Sequence, residues 1–227
     1  MQIFFVVLII GLILFLFRLY HLGNDDYVLV KKNVSLEQVF NCALFCSFFA
    51  LIFARTFYVV FHPLPIYLNI LGFILFPYFP GLSLVGGLFG GAGALYFYAR
   101  RNKFPLGRIF DFFSMSFIFV LPIGLIGYFL LSRDITVGGI AKLALFSLFS
   151  ISANIFLYPK APSLEMKEGT SSILFLIFFS LVMLLASAID HPGISYFAHH
   201  TENFVELGIL IASIALILKQ EIIGRIK

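Results

Sequence analysis

The chain has no tryptophan and only two cysteines, and 11% of its 227 residues are charged, against about 25% in a soluble domain. That scarcity of charge excludes a water-soluble globule. Hydrophobic residues make up 61% of the chain, and a body this small has too little interior to hide them. Cys42 and Cys46 stand four apart in one apolar run, so they share a helical face and read as small residues at a helix contact. No P-loop, H-E-x-x-H, C-x-x-C or Ser-His-Asp pattern occurs, which leaves nothing that calls for a metal or cofactor. Basic residues interleaved with aromatics are also missing. The net charge of +4 and pI of 9.1 therefore do not describe a nucleic-acid surface.

What the chain does have is long apolar runs, with a mean hydropathy of +1.06. A membrane-crossing helix needs about 20 such residues. The runs predict spans over 2–20, 38–61, 82–99, 108–131, 136–158, 171–189 and 204–218. This is an all-α polytopic bundle of seven spans, one transmembrane domain over 1–227, with no room for a separate soluble domain. The first run has no basic residue before it and Arg18 after it, so it reads as a retained span rather than a signal peptide. Residues 64–80 are apolar, but Pro63, Pro65, Pro77 and Pro80 punctuate them, and an interfacial or re-entrant segment is expected.

Alternating the spans strands twelve of the fifteen Lys and Arg on one side. Arg18, Lys31 and Lys32 fall there, as do Arg100, Arg101, Lys103 and Arg108, then Lys160, Lys167, Lys219, Arg225 and Lys227. Basic loops stay in the cytoplasm, so the N-terminus is expected outside and the C-terminus inside, in a bacterial inner membrane. Arg55, Arg133 and Lys142 remain. The spans read as lacking acidic residues, which argues against a proton-coupled transporter.

Arg55 stands inside an apolar run, where a charge costs at least about 2.5–3.5 kcal/mol and suggests function. Arg55, Tyr58 and His62 follow at i, i+3 and i+7, on one face toward the outer end of span 2. An arginine fork matches a phosphate; equally, the side chain snorkels outward beside a tyrosine. Gly86/Gly90 and Gly87/Gly91 form two overlapping G-x-x-x-G pairs, the signature of close helix packing. With Ser83 they also line the outer end of span 3, where a headgroup would sit. Asp111 reads as a helix cap or the partner of Arg108, and Arg133-Asp134 as a boundary pair or part of the same outer cavity. His191, His199, His200 and Glu202 match no zinc spacing and read as loop residues.

The order of segments over 37–129 resembles the prolipoprotein diacylglyceryl transferase family. Arg55-Thr56-Phe57-Tyr58 looks like the family's Arg-x-x-Tyr, and Gly81 to Gly90 like its G-G-x-S-F-H-G-G-L-x-G. Asp111-Phe112 follows at family spacing, and Gly124 to Phe129 looks like G-R-x-G-N-F. The resemblance implies transfer of diacylglyceryl from phosphatidylglycerol to a lipobox cysteine thiol of a lipoprotein precursor. It also implies departures. The span 3 motif's His falls on Val85, the span 4 motif's Arg on Leu125 and its Asn on Tyr128. Its closing Asn and Glu fall near Leu131 and Arg133, and the span 6 Arg near Met183. The outer head region between spans 4 and 5 is missing.

Transfer to a thiol needs a base or a lowered thiol pKa, and cations on the departing phosphate. Valine and leucine supply neither. The catalytic residues are therefore unassigned, and the lipid-binding candidates are Arg55, Tyr58, His62, Ser83, Gly86, Gly87 and Arg133. Two functions follow: a divergent transferase, or a protein that binds phospholipid or lipoprotein precursor without reacting.

Overall fold

A computed structural model describes residues 2–24, 26–68, 72–73, 78, 81–132, 135–160, 167–193 and 201–226. Among the described residues there are eight α-helices and no strand. They are α1 (Gln2–Gly23), α2 (Tyr27–Lys31), α3 (Leu36–Phe61), α4 (Leu84–Arg101), α5 (Leu106–Ser132), α6 (Val137–Phe156), α7 (Thr170–Asp190) and α8 (Thr201–Ile226). Six of them, α1, α3, α5, α6, α7 and α8, are long and apolar enough to cross a membrane. The glycine-rich α4 lies along α3. The chain is a polytopic helical bundle of the kind the apolar runs predict, and each run falls on a helix. The short α2 inside the polar 21–37 segment is an addition: Asp26 caps it by accepting from Leu29 N at 3.0 Å.

Local chemistry sets the helix starts. At α3, Ser35 Oγ accepts from Gln38 N and the Gln38 side chain accepts from Ser35 N, a complete capping box. Ser83 caps α4 and Thr136 caps α6. α7 begins after Gly169, at φ +89° with no capping side chain. The cap comes from α5 instead. Asp111 accepts from Gly169 N at 2.6 Å, Ser172 N at 2.9 Å and Ser172 Oγ at 2.9 Å. Asp111 is thus a cap, but of α7. The partner of Arg108 is Asp26, 82 residues away, at 2.9 Å from Nε and 2.5 Å from Nη2, with both side chains buried. The expectation that Asp111 is a helix cap holds, with α7 rather than its own helix as the one capped, and the ion pair within 4.0 Å that Arg108 makes goes to Asp26.

These contacts also fix direction. The end of α1 meets the end of α6, where Arg18 donates to Asn154 and stands 3.6 Å over the Tyr158 ring. The start of α7 meets the end of α8, where Lys167 Nζ donates to Gln220 O at 3.3 Å. At the opposite end of the bundle, Asp190 closes α7 against the start of α6. It accepts from Thr136 Oγ1 at 2.9 Å and Gly138 N at 2.6 Å. α6 and α8 therefore run parallel to each other and antiparallel to α7. The basic segments gather at one end, called the basic end below.

Packing divides the helices. α3 and α4 form one tight pair, α1 packs along α5, and α7 is flanked by α5, α6 and α8. One apolar core joins α1, α3, α4 and α5 toward the basic end, around Leu19, Val39, Leu95, Ile109 and Phe112. A second, around Val85, Ile118, Leu125, Phe146, Phe179 and Met183, joins α4, α5, α6 and α7.

Candidate functional site

The α3–α4 pair is built on glycine. A Cβ at Gly86 would lie 2.5 Å from Phe57 Cβ and 2.6 Å from Phe53 O. One at Gly90 would lie 2.5 Å from Phe53 Cβ and 2.7 Å from Phe49 O. No side chain fits in those gaps. Gly87 faces Ala54 less tightly, at 3.6 Å. Gly86 and Gly87 thus turn toward α3. Ser83 is buried: its Oγ accepts from Gly86 N at 3.2 Å, and its own N–H donates to Ala54 O at 3.0 Å.

Beside that junction lies Arg55, 2% exposed. Its Nε donates to Phe73 O at 3.1 Å, Nη1 to Gly81 O at 2.8 Å and Nη2 to Gly72 O at 2.7 Å. The guanidinium carbon stands 4.8 Å from the Tyr67 ring centroid and 5.9 Å from that of Tyr58. Three of its five N–H groups therefore hold backbone carbonyls of the segment between α3 and α4. Gly81 has φ +152°, and a Cβ there would fall 2.0 Å from the Tyr58 ring, so only glycine lets the chain pass. His62 ends α3, exposed and stacked on Tyr58 with ring centroids 4.7 Å apart.

The structure thus gathers Arg55, Tyr58, His62, Ser83 and Gly86 at one end of the α3–α4 pair, opposite the basic end. Arg133, His199 and His200 lie outside the described residues, as does most of 64–80, of which a 3-10 turn at Pro65–Leu68 is described. His191 ends α7, far in sequence from His62, with its N–H on Ser187 O.

Next to this junction, Val85 faces inward at 0% exposed and joins Leu125 from α5 and Met183 from α7 in the same apolar core. These are the three positions on which the resemblance places one histidine and two arginines. They come from helices far apart in sequence, yet they belong to one contiguous buried cluster. A family model described as prolipoprotein diacylglyceryl transferase matches residues 1–220. The chain belongs to that family. Comparison with individual curated proteins gives no match. Membership in the prolipoprotein diacylglyceryl transferase family carries its general setting: a multi-pass membrane protein whose substrates are lipid and prolipoprotein.

In this family member that cluster is hydrocarbon. Phe146, Phe175, Phe179 and Val182 belong to it too, all buried. Ordinary apolar packing can neither deprotonate a thiol nor hold a phosphate.

One charged group escaped the sequence reading. Glu206, on α8, is 2% exposed, and its Oε2 has no hydrogen-bond partner among the described residues. No ion pair with nitrogen and oxygen within 4.0 Å joins Lys142 to Glu206. With Asp111, Glu206 overturns the expectation of spans without acid. Glu206 lies inside the run counted over 204–218 and was passed over there; α8 starts at Thr201 and carries it inward.

Proposed function

We propose that this chain binds phosphatidylglycerol and a lipoprotein precursor in the bacterial inner membrane without carrying out the family's transfer by the family's route. It would cross seven times, α4 being the seventh span, with the N-terminus outside and the basic end in the cytoplasm. One observation carries this reading: Val85, Leu125 and Met183 all lie buried in the same apolar core. A lipid's acyl chains are at home against such a bundle; the chemistry of a leaving phosphate is not. Arg55, Tyr58, His62, Ser83, Gly86 and Gly87 then serve as the frame of the lipid-facing end, and Arg55 holds that frame through carbonyls.

The test is complementation. In cells depleted of their own transferase, the expressed and membrane-inserted protein should leave a lipobox substrate unlipidated, while it copurifies with phosphatidylglycerol. Lipidation of the substrate would overturn the non-catalytic reading.

A divergent transferase is the second reading, and the buried Glu206 favours it, since its unpartnered carboxyl is an acid–base group on a helix that packs on the core holding Val85. The carboxylate would take the thiol proton. The sulfur would form a bond to the diacylglyceryl carbon as that carbon's bond to the phosphate oxygen breaks, releasing glycerol phosphate. Under this reading, lipidation occurs in the same cells and disappears with Glu206→Gln.

A further inference from the structure

Among the described residues, Arg18, Arg55 and Arg108 are the arginines withdrawn into the bundle. The protein satisfies two of them: Arg55 holds three carbonyls and Arg108 has Asp26. Arg18 is different. Its Nη2 donates to Asn154 Oδ1, and that is its one hydrogen bond among the described residues. Asn154 is fixed in turn, its Nδ2 donating to Ser150 O at 2.8 Å. The guanidinium carbon stands 3.6 Å from the Tyr158 ring centroid and 5.1 Å from that of Phe119. The group is thus held in place but not neutralised. One of its five N–H groups is used, and no acidic group among the described residues lies within 4.0 Å of it. Arg18 belongs to the apolar stretch Phe5–Gly23, where a charge without a counter-charge is costly and marks a site.

A second polar atom at this junction lacks a partner. α1 packs on α5 with Phe15 against Phe113 and Gly11 against Val120. Ser116 comes three residues after Phe113 and four before Val120, so it lies on that α1-facing side. It is 0% exposed, and its Oγ has no hydrogen-bond partner among the described residues. Behind the arginine runs a groove. α1 and α6 both pack along α5 but not along each other. Between them α5 presents Phe119, Ile123, Ile126 and Leu130, spaced i, i+4, i+7 and i+11 on one face. Ile126 is 46% and Leu130 52% exposed. The stripe begins at the ring beside Arg18 and runs away from the basic end for about 16 Å.

This arrangement asks for an anion at one end and a single apolar chain behind it. An arginine fork takes a planar carboxylate through two parallel N–H bonds. A stripe one residue wide covers one acyl chain, not the two of a phospholipid. We propose that Arg18 and the α5 stripe form a site for a free fatty acid, with its carboxylate on the guanidinium and its chain along Phe119, Ile123, Ile126 and Leu130. The site lies on other helices than the Arg55–Ser83 junction, at the opposite end of the bundle, and stands whether or not the chain carries out a transfer.

The experiment uses palmitate carrying a photoreactive diazirine, on the purified full chain in detergent, with crosslinks mapped by mass spectrometry. Crosslinks should fall on α1, α5 and α6 around the stripe. Unlabelled palmitate should compete about tenfold better than hexadecanol, which keeps the chain and loses the charge, and than phosphatidic acid, which is anionic but has two chains. Arg18→Gln should weaken palmitate about tenfold, and Arg18→Lys by less. Ile126→Trp obstructs the stripe without touching the fork, and it reads the site where Arg18→Gln does not accumulate. Lys219→Gln, exposed near the basic end of α8, should leave binding as it is, since the site is not a general attraction to basic residues. Hexadecanol competing as well as palmitate would reduce the site to an apolar surface and overturn the proposal. Phosphatidic acid competing equally would make it a phospholipid site and overturn it too, as would wild-type affinity in both Arg18→Gln and Ile126→Trp.

Discussion

The two ends of the bundle treat buried charge differently. At the basic end, Arg108 meets Asp26 in a buried ion pair, and Asp111 spends its oxygens on the start of α7. At the opposite end, Arg55 is held by backbone carbonyls, but Glu206 keeps an unpartnered oxygen. Charges at the basic end join helices that are distant in sequence; they are clamps. The opposite end has clamps of its own, in Arg55 and in Asp190 on the start of α6, and beside them one buried group, Glu206, with an unpartnered oxygen. A buried charge satisfied by the protein argues for architecture, and one left unsatisfied argues for a ligand.

The largest effect should come from the basic end. Asp26→Asn leaves the Arg108 guanidinium buried without its counter-charge, and removing one partner of such a pair costs about 3–5 kcal/mol. Thermal unfolding in detergent should show it as a marked loss of stability. Replacing both, Asp26→Leu with Arg108→Met, should recover most of the loss, because two apolar side chains of similar size need no partner. If the double variant were as unstable as the single one, the pair would not be the clamp described.

Arg55 should come next. Arg55→Gln leaves the carbonyls of Gly72, Phe73 and Gly81 short of donors, at a cost of about 3 kcal/mol. The loss should be local: limited proteolysis should cut the segment between α3 and α4 sooner, with the basic end unchanged. Arg55→Lys should restore only part of it, since an ammonium is a point charge and cannot reproduce the planar fork. Cleavage unchanged by Arg55→Gln would break the contrast, because Arg55 would then be free to serve a ligand.

The sequence showed the fold well because lipid imposes a pattern that is local: apolar length, proline stops and stranded basic residues. It also showed the α3–α4 contact, since Gly86 and Gly90 declare themselves by spacing alone. The Arg55 face was legible at i, i+3 and i+7, but its ligands were not, because carbonyls of a connecting segment leave no trace in residue type. Asp26–Arg108 and Asp111–Ser172 join residues 82 and 61 apart, and no periodicity announces a pair at such a distance. Glu206 stood inside the run over 204–218, near its start, where residue type alone does not separate an exposed carboxylate from a buried one. The convergence of Val85, Leu125 and Met183 could be reached only by folding the chain, since each alone is an ordinary apolar residue in an apolar run.

The smallest change in stability belongs to Glu206, and its sign matters more than its size. If Oε2 has no partner, Glu206→Gln removes an uncompensated buried charge and keeps the shape. Unfolding temperature should then stay level or rise, by an amount worth about 1 kcal/mol. Arg55→Gln and Asp26→Asn move it down. A buried residue whose loss stabilises the protein is one the fold alone does not call for, because sites held ready for a partner carry a cost in the empty fold. Destabilisation by Glu206→Gln on the scale of Asp26→Asn would place Glu206 among the clamps, and the two ends of the bundle would no longer differ.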